Sequence, residues 1–112
     1  FSSDKAHNLL DKYRYSDEEY LCFNDDIQGT GAVIVSGLFN ALRANNKKYE
    51  EIINQKILIV GGGSAGIGVA DAIKAAMKFY GFSEKEALNQ FYIVDKDGLI
   101  GSTRSNLSHP QR

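Results

Sequence analysis

Lys56-Ile57-Leu58-Ile59-Val60-Gly61-Gly62-Gly63-Ser64-Ala65-Gly66 is the stretch that decides the fold. Its first part is a β-branched apolar run, as in a parallel strand buried on both faces. Three glycines end the run, and beyond Ser64 the residues Ile67, Ala70, Ile73 and Met77 recur at helical spacing until Gly81 supplies a stop. Strand, glycine turn and helix in this order place G-x-G-x-x-G where the pattern has a mechanism. Gly61 makes the tight turn, Gly63 lets backbone approach a pyrophosphate, and Gly66 permits close packing of helix on strand. The helix N-terminus adds N–H groups and a positive dipole end. Gly61, Gly62, Gly63, Ser64, Ala65 and Gly66 are therefore candidate dinucleotide-binding residues, against the plain reading of a glycine-rich turn without a ligand.

Downstream, Phe91-Tyr92-Ile93-Val94 reads as a second strand ending at Asp95 and turning at Asp97-Gly98. An acid at the end of the strand after the fingerprint accepts from a ribose 2'-hydroxyl, which makes Asp95 a candidate. Its spacing from the glycines exceeds the usual value of about 20 residues because Ser83 to Asn89 intervenes. Within that insert Ser83 and Glu86 are spaced as a capping box opening a short helix.

Upstream, Tyr20-Leu21-Cys22-Phe23 is an apolar run of strand length, ended by Asn24-Asp25-Asp26. Thr30 is placed to cap a helix carried by Val33, Ile34, Leu38 and Leu42 to about Arg43. Ala6, Leu9, Leu10 and Tyr13 mark one stripe of a first helix from Asp4 to Arg14, with a loop at Ser16 to Glu19. The resulting β-α-β-α-β order predicts an α/β, Rossmann-like parallel sheet with helices on both faces. Asp25 and Asp26 then lie at the C-terminal end of a strand, where such sheets bind ligands, and their hard oxygens suit Mg²⁺ or Mn²⁺. On an extended segment neighbours point opposite ways, so one of the two coordinates directly and the other is free for another role. An Asn-Asp-Asp turn that merely caps a helix is the structural alternative.

A chain of 112 residues suffices for one small domain, and 43% hydrophobic against 24% charged residues excludes disorder and low complexity. Thirteen Lys and Arg against fourteen Asp and Glu leave a net charge of -1, so no electrostatic case exists for nucleic acid or an anionic membrane. Acidic Asp17, Glu18 and Glu19 among Tyr13, Tyr15 and Tyr20 likewise oppose base stacking. A single cysteine, Cys22, excludes an internal disulfide and reads as a small buried hydrophobe. Apolar runs such as Ala32 to Val35 fall far short of the roughly 20 residues that span a bilayer, and no signal peptide is legible. An intracellular location is expected, with the cytosol as default and an organelle left open. His7 and His109 are lone histidines expected at the surface. Lys47-Lys48 with Glu50-Glu51 reads as a solvated connection, and Ser105 to Arg112 as a polar loop or cut end.

The run Phe23 to Val33, FNDDIQGTGAV, resembles the signature of the malic enzymes, metal-dependent NAD(P)-linked oxidative decarboxylases of malate. The resemblance extends, in order, over Leu9-Leu10-Asp11-Lys12-Tyr13, the Gly61 to Gly68 loop, Gly81-Phe82-Ser83-Glu84 and Val94-Asp95-Lys96-Asp97-Gly98-Leu99-Ile100. It implies that Asp26 binds the divalent cation, Mg²⁺ or Mn²⁺, and that Asp25 lies beside the catalytic base and supports it. It further implies malate as substrate, NAD or NADP as cofactor and a homodimer or homotetramer. Residues 1-24 would close a substrate and metal-binding segment, and residues 25-112 would open the dinucleotide-binding domain.

Phe1 resembles the last residue of the family's Glu-Asp-Phe tripeptide, whose two carboxylates complete the metal site. Those carboxylates, the catalytic tyrosine and lysine and the substrate-binding asparagines have no counterpart in these residues, so the chain is expected to be a central excerpt, inactive alone. Two departures stand out: Ser3, where many relatives carry Asn, and three added residues between Lys48 and Gln55. Another Rossmann-type dehydrogenase, disfavoured by FNDDIQGT, and a non-catalytic dinucleotide-binding or assembly module are the alternatives. Asp95 does not decide between NAD and NADP.

Overall fold

The computed structural model describes residues 2–15 and 20–101. Helix α1 (Ser3–Arg14) is followed by a π-helical turn (Asp25–Gly29) that runs straight into α2 (Thr30–Ala44). A 3-10 turn (Tyr49–Asn54) leads to β1 (Ile57–Val60), then α3 (Ser64–Phe79), α4 (Glu84–Leu88), β2 (Phe91–Asp95) and β3 (Gly98–Leu99). Strands β1 and β2 pair in parallel from Ile57↔Phe91 to Val60↔Val94, and β3 folds back antiparallel on β2. The α/β class read from the sequence holds, with α3 and α4 forming the crossover between the parallel strands.

Leu42, Ile52, Ile73, Met77 and Ala87 form the buried core, and the register partners Ile57 and Phe91 pack against it. Helices α2, α3 and α4 thus gather over the sheet face that carries Ile57 and Phe91. Leu58, Val60 and Tyr92, which alternate with the inward residues, are exposed. Among the described residues no second layer of helices covers that opposite face.

Local signals placed the helix ends well. Both long helices close with the paired bonds of a Schellman motif: Lys47 N–H donates to the Leu42 carbonyl and Asn46 N–H to Arg43 after α2, and Phe82 N–H donates to Met77 and Gly81 N–H to Lys78 after α3. The Ser83–Glu86 capping box forms as expected, Ser83 N–H donating to Glu86 Oε2 at 2.8 Å and Glu86 N–H to Ser83 Oγ at 3.2 Å. The Ser83 backbone N–H, and then its hydroxyl, hold the Glu86 carboxyl below the ordinary carboxylate value. With the folded value depressed, this contribution is present above the unfolded carboxylate range and is lost as pH falls through the folded value.

Several expectations are corrected. Tyr20 to Phe23 forms no strand, because a strand needs a partner ladder and the sheet offers this segment none; Leu21 and Phe23 are instead exposed. The three parallel strands reduce to a parallel pair plus an antiparallel edge. Thr30 is not a cap: Asn24 is, and the helical path begins at Asp25. Lys47, Lys48 and Glu50 are exposed as expected, whereas the 3-10 turn that follows buries Ile52 completely. His7 is buried, not on the surface, because α1 turns His7 and Leu10 inward and leaves Leu9 exposed. Cys22 is only half-buried. The readings on Phe1, Ser16 to Glu19, Ser105 to Arg112 and His109 lie outside the described residues.

One contact organises the helices. Gly68, in α3, lies so close to Ile27 of the π-turn that a Cβ there would strike the Ile27 backbone, its carbonyl carbon at 2.8 Å. Beside it, a Cβ on Gly31 of α2 would sit 2.8 Å from Ala72 Cβ and 2.9 Å from the Gly68 carbonyl oxygen. Two glycines thus let two backbones meet where side chains would hold them apart. Gly68→Ala gains about 0.5–1 kcal/mol of helix preference but meets immovable backbone, and overpacking costs about 1–3 kcal/mol. The second effect is expected to win, lowering the melting temperature of the full-length protein. Gly37→Ala in α2, with nothing within 4 Å of the new Cβ, is the matched control and is expected to leave it unchanged or raise it. Equal melting of the two variants would contradict the contact.

Candidate functional site

The glycine turn is an extension of the sheet. Gly61 N–H donates to the Val94 carbonyl at 2.7 Å, one step beyond the Val60↔Val94 pair, and its φ of 123° is open to glycine at little cost. Gly66 turns its missing side chain toward the Gly61 carbonyl, with Ile59 Cγ2 at 3.4 Å from an added Cβ, so any larger residue would push α3 off the strand. Gly63 differs from both. Its φ of −83° and ψ of −167° are extended backbone that any residue adopts, and a Cβ there would meet nothing within 4 Å. The backbone does not need a glycine at Gly63; open space lies in front of it.

Gly63 is also the N-cap of α3 and, as a glycine, brings no capping side chain of its own. Its carbonyl accepts from Ile67 N–H at 3.0 Å, while Ser64 and Ala65 begin the first turn. A helix start whose N-cap is a glycine with open space before it is what a phosphate group fits. Gly62 is buried beneath the turn. Asp95 follows Val94 at the end of β2 and so lies beside Gly61, at the same sheet end as the turn. Its Oδ1 accepts from Asp97 N–H at 2.8 Å, an interaction that steadies the carboxylate and bends the chain into β3. The structure thus brings all seven predicted dinucleotide residues to one end of the β1–β2 pair.

Asp25 and Asp26 sit on the π-turn, not on an extended strand end, so the alternation argument for their opposite directions does not apply. Both are exposed. The Asp25 carboxylate lies across Gly29, where a Cβ would collide with it. The turn is bracketed by side chains that the sequence reading missed: Asn24 Oδ1 accepts from Ile27 N–H at 2.9 Å, and Gln28 Oε1 accepts from Asn24 N–H at 3.0 Å. This is the reciprocity of a capping box, displaced to a four-residue spacing by the wider turn, which is why the S-x-x-E pattern did not flag it.

The donor set fits a hard divalent cation in chemistry, being exposed carboxylate oxygen on a fixed turn. It is a partial set, since among the described residues no group of three or more His, Cys, Asp or Glu gathers to hold an ion.

The two regions share a wall. A cleft of about 330 Å³ is lined by Asp25, Gly29, Thr30, Val33 and Ile34, and an apolar cleft of about 380 Å³ runs along β1 to Ala65 and Gly66. Thr30 and Ile34 line both, so one face of α2 separates the acidic turn from the glycine loop. No helix among the described residues is long and apolar enough to cross a membrane.

The chain is 50% identical over 94% of its length to an NADP-dependent malic enzyme of Dictyostelium discoideum, covering 18% of that protein. It is 42% identical over 96% to the mitochondrial NAD-dependent malic enzyme 2 of Arabidopsis thaliana, covering 17%, and 39% identical over its whole length to a malolactic enzyme of Leuconostoc mesenteroides, covering 20%. The chain therefore spans about a fifth of the length of these curated relatives. Residues 27–112 match the family described as "Malic enzyme, NAD binding domain", and the chain with its glycine turn and acidic turn accordingly belongs to the malic enzyme family.

Proposed function

We propose that the full protein converts malate to pyruvate and CO₂ while reducing NAD or NADP. The observation that carries this reading is the shared α2 wall, which sets a carboxylate turn suited to a divalent ion next to a turn suited to a dinucleotide. Oxidising an alcohol and releasing a carboxyl group from one small substrate calls for those two groups side by side. A bound Mg²⁺ or Mn²⁺ supplies Lewis-acid polarisation of substrate oxygens, and the nicotinamide accepts the hydride.

In this proposal Gly61 to Gly66 receive the pyrophosphate, with the α3 N-terminus adding its dipole. Asp95 accepts from the adenosine ribose, held in place by the Asp97 N–H. Asp26 contributes one carboxylate to the ion, and Asp25, folded over Gly29, orients the neighbouring base. Residues 1-24 close the substrate and metal segment, and 25-112 open the dinucleotide domain. The further metal ligands, the base and the proton donor come from other parts of the protein. A homodimer or homotetramer, and a cytosolic or organellar location, complete the reading; the mitochondrial relative keeps the organelle in view.

Three measurements on the full-length protein test it. With malate and Mn²⁺, either NAD or NADP is expected to yield reduced nicotinamide and pyruvate in equal amounts, and absence of both products with both dinucleotides would refute the activity. Asp26→Ala is expected to lower turnover by about 10²- to 10³-fold, the scale of losing one charge-stabilising group, and to weaken Mn²⁺ binding sharply. Unchanged Mn²⁺ affinity would move the ligand role to Asp25. Gly63→Val is expected to fold normally, given its extended backbone and open surroundings, yet to lose NAD(P)H affinity by about tenfold or more, or 1.4 kcal/mol. Retained affinity in a fluorescence titration would place the phosphates elsewhere.

A further inference from the structure

Between Asn24 and Gln28 the chain makes a wide π-turn, and its two acidic residues occupy the first positions. Such a turn is uncommon and needs external support to persist against the tighter α-helical path. Support comes from two sides. Asn24 and Gln28 tie the ends together, with Ile27 N–H donating to Asn24 Oδ1 at 2.9 Å and Asn24 N–H to Gln28 Oε1 at 3.0 Å. Ile27, buried, rests against Gly68 of α3. Asp25 and Asp26 are what remains on the exposed edge of a segment pinned at its ends and its back.

We propose that Gln28 is a positioning residue for the Asp26 carboxylate, acting through Asn24 and touching neither metal nor substrate. The inference rests on the reading of Asp26 as a ligand of the divalent ion. The Gln28 side chain is the only part of the bracket that reaches back to the Asn24 N–H, and removing its oxygen leaves a part-buried donor without its acceptor. The turn then relaxes toward the α-helical path and swings Asp26 away from the direction it holds. Groups that orient metal ligands typically change affinity by about 10- to 100-fold when lost. A carboxylate on residue 28 preserves the accepting oxygen, which separates this role from simple packing.

The experiment is a titration of Mn²⁺ alone into the full-length protein, without malate or dinucleotide, alongside an NAD(P)H fluorescence titration of the same preparations. Gln28→Met, similar in size and lacking a strong acceptor, is expected to weaken Mn²⁺ binding by about 10- to 100-fold with NAD(P)H affinity unchanged. Gln28→Glu is expected to restore Mn²⁺ affinity to the wild-type level or tighter. Should Gln28→Met fail to fold, Gln28→Ala removes the same accepting oxygen without adding apolar bulk, with the same loss expected. Wild-type Mn²⁺ affinity in Gln28→Met or Gln28→Ala, with affinity lost in Asp26→Ala, would overturn the positioning role and leave the ligand assignment standing. Wild-type Mn²⁺ affinity in Asp26→Ala would overturn both. A parallel fall in NAD(P)H affinity would mark a general loss of structure and likewise overturn it.

Discussion

The approach of Gly68 to the backbone of Ile27 is the constraint on which the rest depends. It lies little more than one helical turn beyond the glycine loop on one side and immediately after Asp26 on the other. Because both partners are backbone, the separation is fixed by the chain path and not by side-chain rotamers, which makes it stiffer than packing of ordinary core residues. Gly31 against Ala72 repeats the device one step along the crossing. The relative placement of the glycine turn and the acidic turn follows from this crossing more than from the sheet.

What could be read from the sequence was what neighbouring residues decide. The β-branched run Ile57 to Val60, the glycine break, the Ile67–Ile73–Met77 stripe, the Ser83–Glu86 box and the end of β2 at Asp95 are all local signals, and each lies where it was expected. Tyr20 to Phe23 was misread because four apolar residues carry no information about a partner strand. The π-turn was illegible for a related reason: its extra residue is accommodated by a glycine on a helix distant in sequence. Burial of Ile52 and His7 depends on where α2 and α3 place their flanks, which periodicity within a short polar segment does not encode. For the candidate site, the sequence named candidates in both turns, whereas the Asn24–Gln28 bracket and the α2 wall of Thr30 and Ile34 emerged only with the fold.

The two turns are built on opposite logic. At Gly61 and Gly66 the chain spends its glycines on its own geometry, a positive φ and a close strand contact, while Gly63 keeps space open for something else. At the acidic turn the chain supplies polar brackets and apolar backing, so that two exposed carboxylates hold a direction without being buried.

Gly61 belongs both to the β1–β2 ladder and to the turn in front of α3. A nucleotide that orders the turn therefore also restrains the last rung of the ladder, and the equilibrium between native and unfolded forms becomes linked to nucleotide concentration. At a free concentration of about 100 times Kd such linkage amounts to about 2.7 kcal/mol. That amount is a sizeable part of the about 5–15 kcal/mol that separates folded from unfolded domains. The level of the dinucleotide pool would then help to set how much of the protein persists in the cell, quite apart from how fast it turns over.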